Sequence, residues 1–317
     1  MERHSLRHLE EVIYIHMNET PSPSSTHKSA PAWIGAMPPV FVLLWSTGFI
    51  GARWGLPYAE PFTFLAVRFA IAAALFALIA IASGAQWPKS FREFRDAAIV
   101  GILLNGTYLT GVFWAIDHGT PTAIAAIVVG IQPLLTAALA IPILGERLNA
   151  VQWGGLLLGF AGLLMVVWTG TDAGPLAGII ATVLSLLGIT FGTFYQKRFG
   201  AGNDLRTASV IQQAAACAVV LVLSLLYETQ EIEWSGDFIF ALSWLVLVLS
   251  IGTFSLYYVL IRWGAVSKIS SLFYLVPPVV AIDAWLFFDE ILSLRQIAGM
   301  VLTAAGVALV TRTKTPK

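Results

Sequence analysis

Charge is scarce in this chain. Only 11% of its 317 residues are Asp, Glu, Lys or Arg, against 57% hydrophobic, where a soluble domain carries about 25% charged residues. The mean hydropathy is +0.79. So few charges cannot cover a water-facing surface of this size, so most of the surface faces lipid. The charges present balance, 18 basic against 18 acidic, and leave no net field to draw nucleic acid. Cysteine is nearly absent. Cys217 alone excludes a disulfide within the chain and a cysteine metal cluster. Four of the 5 histidines lie before residue 28, and the fifth, His118, falls in a turn, so no apolar run holds a histidine. The pattern Gly-x-x-x-x-Gly-Lys-Ser/Thr does not occur, which removes ATP hydrolysis by that route. No metal or other cofactor is expected. The polar intervals are short, leaving no room for an extramembrane catalytic domain.

What the chain has is long apolar runs. They fall at 34–54, 61–83, 97–117, 120–144, 150–170, 175–197, 205–227, 238–261, 267–288 and 294–312. A hydrocarbon core of about 30 Å takes roughly 20 helical residues, and lipid cannot satisfy the loose backbone groups of an open sheet. The expected fold is therefore an all-α polytopic membrane protein of ten transmembrane helices. Residues 1–32 hold no apolar core of signal-peptide length. Pro21–Ser29 is rich in Ser and Pro and reads as disordered tail, within which Met17 offers an alternative start.

Lysine and arginine give the orientation. With both termini cytoplasmic, fifteen of the 18 fall on the inside, Arg53 and Arg295 fall outside, and Arg68 lies within the second run. That bias fits the positive-inside rule and an even number of spans; the expected location is the plasma (inner) membrane.

A shift of 144 positions superposes the two halves. Pro133 falls on Pro277, Glu146 on Glu290, Gln152 on Gln296, Gly155 on Gly299 and Gly162 on Gly306, with Gly48 on Gly192 earlier. With a two-residue drift, Gly106-Thr107-Tyr108 falls on Gly252-Thr253-Phe254. Matched Pro, Glu and Gln in one register point to duplication, giving repeats at 33–172 and 173–313. Five spans per repeat is odd, so the copies enter the membrane from opposite sides. Such inverted repeats suit a carrier whose central site opens to each side in turn.

Gln132-Pro133, Leu144-Gly145-Glu146-Arg147-Leu148, Gln152, Gly155, Gly159 and Gly162 resemble the signature of EamA-type transporters of the drug/metabolite transporter superfamily. Pro277-Pro278, Asp289-Glu290, Leu292, Gln296, Gly299 and Gly306 repeat it, and Trp45-Ser46-Thr47-Gly48-Phe49 is similar to that family's first span. The resemblance covers 33–312. It implies ten spans around a central cavity and export of amino acids or other metabolites.

Within this frame several residues are candidates. Asn105, Gln132 and Gln212 are unfavourable against lipid and are expected to point inward. With Trp45, Tyr108, Tyr195, Tyr257, Tyr258 and Tyr274 they are candidates for lining an aromatic cavity suited to stacking and cation–π contact. Trp33, Trp54, Trp87 and Trp234 fit interfacial belts by position. Arg68 and Asp283 are charges inside runs, costly in lipid, at matching depth. They are candidates for an ion pair or a proton-coupling site, with Asp283 also a partner for a substrate amine. Pro133 and Pro277 should kink their helices near the midplane. With Gly48 and Gly192 they are candidate hinges. Glu146 and Glu290 close runs four and nine and read as helix-end residues that satisfy the amides of the next helix.

The expected function is secondary export of a small solute, most of all amino acids, aromatic ones included, or amphipathic drugs. Its partners are the solute, membrane lipid and protons, with a monomer as the working unit. An intramembrane enzyme acting on a lipid-soluble substrate is the alternative, weakened by Asp283 being the single carboxylate in the interior of a run, Asp117 standing at the very end of its own. A channel would need a filter or a ring of like charges.

Overall fold

The computed structural model describes residues 36–120, 122–167, 174–200, 202–288 and 293–313. The expected tail (1–32), Trp33 and Glu290 lie outside them, as do the side chains of Asp283 and Arg53. Among the described residues every regular element is helical, and the sole strand-like feature is a bridge between Ala59 and Ile232. In chain order we name α1 Met37–Gly55, α2 Pro61–Ala82, α3 Phe91–Asp117, α4 Thr122–Val129, α5 Gln132–Leu144 and α6 Ala150–Val167. There follow α7 Leu176–Phe199, α8 Leu205–Tyr227, α9 Gly236–Trp263, α10 Val266–Ser271, α11 Val276–Phe288 and α12 Leu294–Arg312. Seven helical stretches are long and apolar enough to cross a membrane, and three shorter apolar ones, at Met37–Gly48, Ala150–Val166 and Val266–Val280, accompany them. The chain is a polytopic helical membrane protein.

Local chemistry sets most of the helix starts. Ser90 Oγ accepts from Glu93 N (3.2 Å) while Lys89 N donates to Glu93 Oε2 (2.8 Å), so α3 begins six residues ahead of the apolar run. Asn149 and Gln152 form a reciprocal cap at α6, with Gln152 N donating to Asn149 Oδ1 (2.9 Å) and Asn149 N to Gln152 Oε1 (3.1 Å). Ser293 and Gln296, each 144 positions on, do the same at α12. The matched glutamines are therefore capping residues.

Two helices are not regular α-helix throughout. α3 carries a π-helical segment at Ile102–Thr107 and α9 one at Leu245–Thr253. Such widened turns often lie at functional sites, and these hold Asn105 and Ser250.

The prolines do not kink intact helices as expected. The fourth run breaks at Gly130–Ile131, and Pro133 stands in the first turn of α5, where a missing N–H costs nothing. In the ninth run a 3₁₀ stretch at Leu272–Leu275 separates α10 from α11, and Pro277 opens α11. Pro142 lies inside α5.

α6 and α12 pack through glycines. A methyl group added at Gly155 would stand 2.8 Å from Gly306 O, and one at Gly162 2.6 Å from Gly299 O. From the other side, one at Gly299 would meet Gly162 O at 2.8 Å and one at Gly306 would meet Gly159 N at 2.5 Å. The obstacles are backbone, which cannot swing aside. Gly162→Val is expected to lose about 1–3 kcal/mol by overpacking, read as a lower midpoint in a detergent thermal-shift assay. The same change at Gly154, where nothing lies within 4 Å, should be nearly neutral; equal effects at the two sites would refute the packing account.

α2 and α8 lie side by side and are tied at both ends. At one end Thr207 Oγ1 donates to Gln86 O (2.8 Å), and Arg206 holds the Asp204 carboxyl down to about 2 through hydrogen bonds of 2.6 and 3.0 Å. That carboxylate therefore stays charged until pH falls well below the ordinary aspartate range. At the other end Glu228 takes Phe62 N (2.7 Å), Thr63 N (2.6 Å) and Thr63 Oγ1 (2.7 Å), while Ser224 Oγ lies 2.7 Å from Thr63 Oγ1.

Candidate functional site

The centre of the bundle is aromatic. Trp45 of α1 has five ring neighbours: Phe273 at 4.9 Å edge-on, Phe254 at 5.1 Å, Phe41 at 5.2 Å, Tyr257 at 5.8 Å and Tyr108, stacked at 6.5 Å. Two hollows meet at the Trp45–Tyr108 pair. The first, of about 60 Å³, is lined by Val112, Ile116, Val129, Gln132, Ile189 and Pro277 among others. The second, of about 70 Å³, is lined by Gly48, Arg68, Leu109, Phe113, Leu249 and Phe254 among others. Both have largely apolar walls and reach Ile116 near the end of α3, and the second also reaches Leu56, just past the end of α1.

On the other side of Trp45 the bundle is filled. Phe41 stacks on Tyr257 at 5.5 Å and 15°. Thr193 Oγ1 donates to Ile189 O (2.6 Å), so Tyr257 donates its hydroxyl proton to Thr193 Oγ1 (2.7 Å). Asn105 Nδ2 donates to Tyr258 OH (3.4 Å). Beyond these, at the face where α5, α7, α9 and α12 end, basic side chains hold helix-end carbonyls. Lys197 Nζ donates to Ile261 O and Gly264 O (both 2.8 Å), Lys268 Nζ to Thr313 O (2.7 Å), and Arg262 Nη2 to Asn203 O (2.6 Å).

Glu146 acts on this same face, on a helix other than the expected one. Gly145, at φ +68°, ends α5 in the left-handed region. Glu146 then accepts from Val266 N (2.8 Å), Ser267 N (3.3 Å) and Ser267 Oγ (2.7 Å), capping α10 and not α6. α6 already has its Asn149–Gln152 cap, so the carboxylate is free to serve a helix 120 residues further on.

The other candidates are distributed as follows. Trp45, Tyr108, Gln132, Gly48, Arg68 and Pro277 line the hollows. Gln132 is 1% exposed, with Nε2 on Ser270 Oγ at 3.2 Å and its oxygen unpartnered. Tyr195, Gln212 and Tyr274 line neither hollow. Tyr195 OH donates to Asp96 Oδ1 (2.9 Å), Gln212 Nε2 donates to Gln196 Oε1 (3.2 Å), and the Tyr274 ring packs on Phe160 at 6.5 Å. Pro133 is buried in α5, and a methyl at Gly192 would stand 3.0 Å from Leu103 Cβ. Arg68 Nε donates to Ser250 Oγ (3.0 Å), and the described residues supply no carboxylate partner for it. Trp54, Trp87 and Trp234 are exposed.

Sequence reasoning passed over Ser250, Thr193, Phe254 and Phe273. Hydroxyls within the runs at Thr193 and Ser250 were a usable signal. Nothing in composition separates a Phe facing Trp45 from one facing lipid.

Comparison with known proteins decides the family. The model of the EamA-like transporter family matches residues 39–168 and again 176–312. The chain belongs to that family. Within the family it is 25% identical over 284 residues to the uncharacterized transporter YvbV of Bacillus subtilis, covering 87% of this chain and 91% of the relative. It is 23% identical over 279 residues to a probable amino-acid metabolite efflux pump of Salmonella typhimurium, covering 84% and 90%. A solved crystal structure superposes with a TM-score of 0.75 at 20% identity, over 89% of this chain and 99% of the other, which supports the fold. This EamA-family chain is thus a multi-pass membrane transporter.

Proposed function

We propose that the protein exports small amphipathic solutes, aromatic amino acids foremost, by alternating access between two inverted five-helix halves. It would do so in the plasma (inner) membrane with both termini in the cytoplasm. The observation that carries the substrate class is the pair of hollows walled by Trp45, Tyr108, Phe254 and Phe273, with few polar groups to fix orientation. The relative named as an amino-acid metabolite efflux pump supports both class and direction.

Reciprocal contacts support the inverted pairing. Gly155 meets Gly306 while Gly162 meets Gly299, and Gly48 meets Leu249 while Gly192 meets Leu103. Each contact maps onto its mate, the glycines under the shift of 144 and Leu103 onto Leu249 with the same two-residue drift seen at Gly106 and Gly252, as a two-fold axis requires. The π segments end at Thr107 and Thr253, the capping boxes match, and the family model fits each half. Seven long and three shorter apolar helices fit ten spans. In this conformation the solute would enter and leave past Leu56 and Ile116, the face carrying the basic clasps being shut. Proton coupling would run through Asp283 on α11.

Counterflow in proteoliposomes tests the reading. Labelled phenylalanine, tyrosine and tryptophan should exchange saturably, and exchange should steepen when a pH gradient is imposed. Absence of saturable exchange for aromatic amino acids and for amphipathic cations alike would end it. An unchanged pH profile in Asp283→Asn would remove that residue from coupling.

A further inference from the structure

We infer that Arg68 anchors the carboxylate of the transported solute, which makes the cargo an aromatic or apolar acid rather than an amphipathic cation; the inference rests on the hollows being the solute site. Arg68 is 3% exposed and stands seven residues past Pro61, about 10 Å along α2. It lines the second hollow together with Trp45, Gly48 and Tyr108. Its Nε donates to Ser250 Oγ at 3.0 Å, and its guanidinium carbon sits 5.9 Å from the Phe69 ring centre. A guanidinium has five N–H donors in a fixed fork. The terminal nitrogens donate to no side chain or carbonyl among the described residues, and neither is sealed away as a buried orphan.

A hydroxyl and a phenyl face are weak compensation for a cation taken out of water. The hollow around it is apolar, so little water screens the charge and an arriving anion is strongly attracted. A carboxylate matches the guanidinium fork with two parallel hydrogen bonds. Its apolar body would then lie against Trp45 and Tyr108, which share the same wall. Ser250 sits on the π segment of α9, so the widened turn orients the guanidinium.

The test is calorimetric binding to purified protein in nanodiscs, with four probes: L-phenylalanine, its methyl ester, 3-phenylpropionate and phenethylamine. The two acids should bind about tenfold or more tighter than the ester and the amine, the value of one charge-assisted pair. Arg68→Gln should erase that preference, and Arg68→Lys should keep part of it, lacking the fork. Ser250→Ala, a milder change, should shrink the preference severalfold while ester affinity holds. If ester and amine match the acids in the unmodified protein, Arg68 is neutralised by the protein itself and the assignment falls, with the hollows still a binding site. Binding of none of the four overturns the site reading, and this assignment with it. The unmodified series decides the matter even if Arg68→Gln fails to fold.

Discussion

Gly48→Trp should abolish flux while the protein still inserts and folds. Gly48 lines the second hollow, and a methyl group there would already stand 3.2 Å from Leu249 Cδ1. An indole at that position would occupy a space of about 70 Å³ and close the passage beside Trp45. Leu249 is a side chain and can turn away, so Gly48→Ala should lower counterflow only a few-fold. The tryptophan variant should fall below a tenth of normal, on the order of the loss of all productive binding. Size-exclusion profile and thermal midpoint separate blockage from misfolding, because overpacking by itself costs about 1–3 kcal/mol. Normal exchange by a well-folded Gly48→Trp protein would show that solute does not pass this point.

The second large effect is expected at Glu228. This carboxylate sits just past the end of α8, where its own helix dipole disfavours it, and it reaches across to the start of α2, where the dipole favours it. It satisfies Phe62 N, Thr63 N and Thr63 Oγ1 at 2.6–2.7 Å. Hydrogen bonds to a charged group are worth about 1.5–3 kcal/mol, and a lost helix cap about 1 kcal/mol. Glu228→Ala should therefore destabilise by about 2–4 kcal/mol, Glu228→Gln by less, and Glu233→Ala, on the exposed part of the same loop, within about 0.5 kcal/mol. Thermal midpoints in one detergent provide the comparison. A Glu228→Ala midpoint no lower than that of Glu233→Ala would refute the capping role.

Sequence could locate these helices because lipid imposes one rule on composition. The run at 205–227 coincides with α8, flanked by Asp204 and Glu228. Where a helix leaves the apolar zone the rule fails. The first turns of α3 carry Arg92, Glu93, Arg95 and Asp96, and hydropathy alone gave no sign that they were helical. The π segments were also unreadable, since an i→i+5 turn has no residue signature comparable to the glycine at a helix end. Pro133 and Pro277 did flag the irregular points, yet a proline serves a helix start as readily as a kink, and the breaks at Gly130–Ile131 and Leu272–Leu275 chose the former. The central site was half legible. Trp45, Tyr108 and Gln132 were identifiable as aromatic or amide groups in apolar runs, whereas the partners that place Tyr195 and Gln212 elsewhere, Asp96 and Gln196, are set by packing.

The clasps formed by Lys197, Lys268 and Arg262 all close on main-chain oxygens. Such acceptors never take up a proton, so acidifying the surrounding medium leaves them as strong as before. To part them, water must replace the amines and guanidinium one bond at a time, a process that ordinary thermal motion can supply.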